Sequence, residues 1–273
     1  MQNSSAVFFG GLAMPVALGL LAIHFLHVRD PKDWIRIPAA LGLAAVIPAQ
    51  VIEHWAWPAI QQAFPDMHPE ASGRTLAALW SDHAFSTSIL RGSVGTALPE
   101  EIAMACLFFG WLLTRDRVER MPVTGIILAG SVVALSFAAF ENIYFLSRVG
   151  LSAELVVIRS FLSTPGHFAT GLGLGIVGAI ATRAEQRPWT DLWIIGATTL
   201  AVLSHTVYDV TAMSASTLEH QGLLSNTLGL VFVAVALLAS AAIILAPTLI
   251  CYRRAIGGWP VPSHSSAGRE PSA

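Results

Sequence analysis

Charge is scarce in this chain of 273 residues: only 12% are Asp, Glu, Lys or Arg, where a soluble domain carries about 25%. The deficit runs the whole length. Mean hydropathy is +0.64 and 54% of the residues are hydrophobic, so an integral membrane protein is expected rather than a large soluble core. A basic excess is missing too: the formal net charge is -2, which argues against a nucleic-acid partner. Lysine occurs once, as Lys32 between the first two apolar runs. No lysine lies deep in a span, so a covalently bound retinal is excluded. Cysteine is limited to Cys106, in mid-helix, and Cys251, at the end of the last apolar run. Their spacing gives no metal knuckle and their expected depths no disulfide, so both are read as packing residues. The opening residues, MQNSSAVFFGG, hold no Lys or Arg before the apolar run. The positive segment of a cleavable signal peptide is absent, and a first membrane span is expected instead.

What is present is a series of apolar runs. A spanning helix needs about 20 mostly apolar residues, and seven segments qualify: 7–27, 36–58, 97–114, 123–146, 158–181, 190–212 and 223–250. The expected architecture is all-α, a single transmembrane domain over 1–257, followed by a Ser/Pro-rich tail, 258–273, expected to be disordered. The segments after spans one, three, five and seven carry Arg29, Lys32, Arg36, Arg115, Arg117, Arg120, Arg183, Arg187, Arg253, Arg254 and Arg269. The other side carries Arg74, Arg91, Arg148 and Arg159. Basic residues collect on the cytoplasmic side, so the N-terminus is expected outside and the C-terminus in the cytoplasm of a multi-pass protein of the cell membrane. The long connection, about 59–96, then lies outside. Its Asp66, His68, Asp82 and His83 have no tight ligand spacing and are read as a solvated loop.

Ionisable groups inside spans are costly and mark functional sites. Span three opens with ALPEEIAMACLFF, placing Glu100 and Glu101 just after Pro99. Span four carries Glu141 and Asn142 in FAAFENIYFL, and span five carries His167 in STPGHFATG. Span six carries His205 and Asp209 in LSHTVYDV, four apart and so on one helix face. At about 1.5 Å per residue, these groups fall at one level, the two histidines roughly 10 Å below the outer surface. Two imidazoles and a carboxylate form a usual catalytic zinc set with water in the fourth position. Here that set is Glu141, His167 and His205, with Glu101 or Glu100 activating the water. A metal-free version is the alternative: a glutamate activates water while the histidines and Asp209 stabilise an oxyanion. Other readings are helix-holding hydrogen bonds in a non-catalytic scaffold or receptor, a proton or ion carrier, or a seven-span zinc lipid amidase. Glu53 and His54 end span two at the same outer level. GLGLGIVG contains a formal GxGxxG, but it lies within a span with no βαβ unit. Close helix packing through Gly171 and Gly175 is the better account.

The ordered set resembles the PrsW family of intramembrane proteases, related to the type II CAAX prenyl proteases and to the multi-pass subunit of gamma-secretase. The residues that carry it are Glu100-Glu101, Phe137-x-x-x-Glu141 followed by Asn142, His167, and His205-x-x-x-Asp209, on four successive helices over about 97–212. The resemblance implies a peptidase that hydrolyses a peptide bond of single-span or lipid-anchored protein substrates, such as anti-sigma factors, near the extracytoplasmic face of the bilayer. It implies Glu100, Glu101, Glu141, His167, His205 and Asp209 as the site. Members are described both as metalloproteases and as glutamic proteases, so zinc or no cofactor at all both remain open. The family's first motif usually continues to a basic residue, EExxK. Here Met104 stands at that position, and the loss of a helper cation is expected.

Overall fold

The computed structural model describes residues 4–28, 30–63, 89–115, 121–149, 156–183, 187–220 and 226–257. They form seven long helices: α1 (Ser4–Leu26), α2 (Arg36–Ala63), α3 (Leu98–Leu113), α4 (Val123–Val149), α5 (Thr164–Ala181), α6 (Arg187–His220) and α7 (Asn226–Gly257). A short 3₁₀ turn, Pro31–Trp34, joins α1 to α2. No strand occurs among the described residues. The connection carrying Asp66, His68, Asp82 and His83, and the tail from 258, lie outside the described residues.

Every expected span coincides with a helix, but among the described residues five helical stretches are long and apolar enough to cross a membrane: Ala6–Leu26, Pro31–Ile60, Arg91–Leu113, Val123–Arg148 and Thr227–Ile250. The chain is thus a multi-pass membrane protein. Helices α5 and α6 fall short for a physical reason. Pro165, Gly166 and His167 dilute the apolar content of α5, and Asp191, His205 and Asp209 that of α6. Protein rather than lipid surrounds α5, since thirteen of its eighteen residues are buried.

Helices α4 and α5 form the centre, with α1, α2 and α3 packed on one side and α6 and α7 on the other. The outer helices turn Phe9, Trp55 and Leu238 outward, as lipid contact permits. The centre packs through small residues. A Cβ on Gly175 would lie 2.7 Å from the Ile127 backbone, and one on Gly171 2.7 Å from the Gly130 carbonyl. Without a hydrophobic drive between helices in lipid, such close backbone approach supplies the contact energy. The GxxxG at Gly171 and Gly175 is therefore a packing surface.

Two π-helical turns lead into the site helices: Arg91–Ala97 before α3 and Ile158–Ser163 before α5. The Leu98 N–H bonds the Ser93 carbonyl and the Thr164 N–H bonds the Arg159 carbonyl, five residues back in each case. A proline follows each turn, Pro99 and Pro165. In a straight α-helix, proline loses a hydrogen bond and strikes the carbonyl four residues earlier. A widened turn relieves that crowding.

Candidate active site

Helix α4 grips one imidazole at two points. Phe137 and Glu141 are four apart, so both face α5. The Phe137 ring lies 5.5 Å from the His167 ring, and Glu141 Oε2 lies 3.0 Å from His167 Nε2. That contact explains the spacing: the aromatic holds the ring face while the carboxylate, one turn on, accepts its N–H.

Helix α3 does the same for the second imidazole. Glu101 Oε1 is 3.0 Å from His205 Nδ1. On the ring's other side, His205 Nε2 stands 3.8 Å from Glu100 Oε2 and 3.6 Å from Asp209 Oδ2. Both are too long for hydrogen bonds. The π turn before α3 sets this register, because Gly92 brings its backbone against Asp209 and Val210 of α6. All six residues expected from sequence thus meet in one place.

Glu100, His167 and His205 each offer one ligand-type atom within 4.8 Å of the other two. The carboxylate expected in that trio, Glu141, sits behind His167, where its Oε2 also forms a 2.5 Å ion pair with Arg159 Nη2. Each imidazole therefore has one nitrogen on a carboxylate and the other aimed away from it. Carboxylates that accept the outer N–H of metal-binding histidines have this arrangement, since they fix the tautomer and orient the ring.

Several buried atoms here have no hydrogen-bond partner: Glu100 Oε2, Glu101 Oε2, His167 Nδ1 and Asp209 Oδ2. Unpaired lone pairs on buried polar groups are costly. Five carboxyl groups also gather here, because Glu53 of α2 lies close to Glu100 and receives Gln50 Nε2 at 2.9 Å. An excess of acceptors and negative charge in a low-dielectric space suits a divalent cation. A chamber of ≈ 10 Å³ adjoins Glu101 and both imidazoles, with Thr170 and Tyr208 also in its lining. It has room for about one water.

Comparison with protein families decides the class: the family described as PrsW family intramembrane metalloprotease matches residues 30–241. The chain belongs to the PrsW family. No curated protein and no solved structure matches it. Membership makes this PrsW chain a membrane protease and implies a metal, and the donor set just described fits one.

The site also contains residues that sequence reasoning placed elsewhere. Arg159 counts there only as one of the charges on the outer side, yet it reaches Glu141. Its signal was its position in the first turn of an expected span, where a charge is rarely idle. Met104 is fully buried among apolar neighbours, as its side chain requires. Arg159, on the turn before α5, brings a cation to Glu141. Glu53, at the outer end of the second span, lies close to Glu100.

Proposed function

We propose that this PrsW-family chain hydrolyses a peptide bond of a single-span or lipid-anchored protein close to the extracytoplasmic face. One observation carries the reading: two imidazoles, each held by a carboxylate at 3.0 Å, lie with Glu100 so that one ligand-type atom of each residue falls within 4.8 Å of the others. Glu100, His167 and His205 would hold the metal, and zinc suits these oxygen and nitrogen donors. Bound there, zinc supplies Lewis acidity and lowers the pKa of water.

The chain's own groups do the rest. Glu101 binds His205 through Oε1 and keeps Oε2 free beside the chamber. That oxygen is the general base. It takes a proton from water as the water oxygen attacks the scissile carbonyl, and returns it to the leaving amine as the C–N bond breaks. Glu141 and Glu101 keep the two imidazoles in their tautomers. Asp209, one turn from His205, completes the acidic wall. The split of Arg and Lys between loops supports an outside N-terminus and a site in the outer half of the bilayer.

The test is cleavage of a co-expressed single-span reporter in cell membranes. Wild type should cut it, whereas Glu101→Ala, His167→Ala and His205→Ala at equal membrane level should not. Cutting by all three variants at the wild-type rate overturns the assignment.

A further inference from the structure

We infer that Arg159 is a positioning residue of this site, acting through Glu141 on His167. The inference rests on the proposed site and names a role within it that no motif assigns.

Three contacts hold the Arg159 side chain. Its Nη2 pairs with Glu141 Oε2 at 2.5 Å, and its Nε donates to Asn142 Oδ1 at 3.0 Å. Its guanidinium lies 4.5 Å from the centre of the Phe145 ring. Asn142 is fixed in turn, since Nδ2 donates to Thr164 Oγ1 at 2.9 Å and to the Gly11 carbonyl at 3.4 Å. The Thr164 hydroxyl donates to the Arg159 carbonyl at 2.8 Å. A closed circuit results: Arg159 side chain to Asn142, Asn142 to Thr164, Thr164 back to the Arg159 backbone. The π-helical turn makes the last link possible, because it sets the residue at i+5 beside the carbonyl.

The circuit fixes where the guanidinium sits, and so fixes Glu141. Adjacent residues on α4 divide the work. Asn142 holds the arginine and Glu141 receives it, while the same Glu141 oxygen faces His167 Nε2. A carboxylate pinned in this way keeps the N–H of His167 on Nε2 and the bare nitrogen at Nδ1, the buried atom with no partner. An arginine serves where a lysine would not, because two of its nitrogens point in fixed directions to two acceptors. Had the arginine served only to hold α4 against α5, its loss would weaken the fold and leave the His167 tautomer unchanged.

The full-length chain, labelled with ¹⁵N-histidine, placed in nanodiscs and stripped with chelator, tests this by nitrogen NMR. The His167 signals are those missing in His167→Gln. Wild type should show one bare nitrogen, Nδ1, and one N–H, Nε2. Arg159→Met should show a mixture of tautomers, and Arg159→Lys an intermediate pattern. The lysine variant also stands in if the methionine variant does not reach the membrane. Zinc titration of the same samples should then show affinity reduced about 10–100-fold in Arg159→Met, with no further loss when Arg159→Met is added to Glu141→Gln. An unchanged His167 pattern in folded Arg159→Met, or equal losses in both backgrounds, overturns the inference. A wild-type chain that takes up no zinc but shows the single tautomer overturns the metal assignment alone, and the NMR comparison still decides for Arg159.

Discussion

The imidazoles of His167 and His205 meet edge to face, their centroids 5.0 Å apart and their planes at 87°. Helices α5 and α6 bring them there, and α4 and α3 each supply the carboxylate behind one ring. Four helices thus share one small volume, so changes at any of them should be read out in the same chemistry.

Glu101→Gln should lower kcat by about 10²–10⁴-fold, the usual worth of a general base, with KM little altered. The amide is isosteric and keeps a contact to His205 Nδ1, so the membrane level should hold. Reporter cleavage against substrate concentration measures both constants. A rise in KM with kcat unchanged would move Glu101 from chemistry to substrate binding.

Metal content should follow the trio. The purified chain should carry about one zinc per molecule, and His167→Ala, His205→Ala or Glu100→Ala should release it. Elemental analysis after dialysis settles the matter. Wild-type protein that cleaves while holding less than about a tenth of an equivalent favours the metal-free glutamate route.

Phe137→Ala should cost both stability and turnover, since the buried ring packs against His167. Large-to-small changes in cores cost about 3–5 kcal/mol for Phe. Phe137→Leu should recover most of the melting temperature in detergent but less of kcat, because an aliphatic group leaves the imidazole face unsupported. Parallel recovery of both would make Phe137 a packing residue only.

How much of this is legible in the sequence depends on the kind of interaction. The seven helices are legible because span length is fixed by the bilayer, and each apolar run of sufficient length declares itself. Convergence of Glu100, Glu101, Glu141, His167, His205 and Asp209 is legible because charge in a span needs a partner. The distribution of work among them is not. Which carboxylate faces which imidazole nitrogen depends on rotations of tens of degrees between neighbouring helices, set by the π turns and by glycine contacts. Periodicity assumes a regular 3.6-residue helix, and so it passes over Arg159, which sits on the irregular turn itself.

Two glycines make a matched pair for testing the central packing. Gly175→Ala places a methyl 2.7 Å from the Ile127 backbone, which no side-chain rotation relieves. Overpacking of this kind costs about 1–3 kcal/mol. Gly196→Ala meets nothing within 4 Å and removes a flexible residue from α6, worth about 0.5–1 kcal/mol in favour of the helix. Thermal unfolding in one detergent should therefore move in opposite directions for the two.

Sidedness is open to a direct check in a cysteine-free background. Arg148→Cys should react with an impermeant maleimide on intact cells, and Arg115→Cys only after permeabilisation, if basic loops face the cytoplasm. The reverse pattern would turn the molecule over and place the site near the inner face.

The π turns have a last consequence, which concerns length rather than composition. Such a turn holds one residue more than a regular helix would use over the same rise. Deleting a single codon within 91–97 or 158–163 would rewind the segment and rotate all that follows by about 100° relative to what precedes it. Glu100 and Glu101, or His167, would then swing toward hydrocarbon. Many substitutions in these turns should be silent, whereas an in-frame loss of one residue should abolish function without any catalytic side chain having been altered.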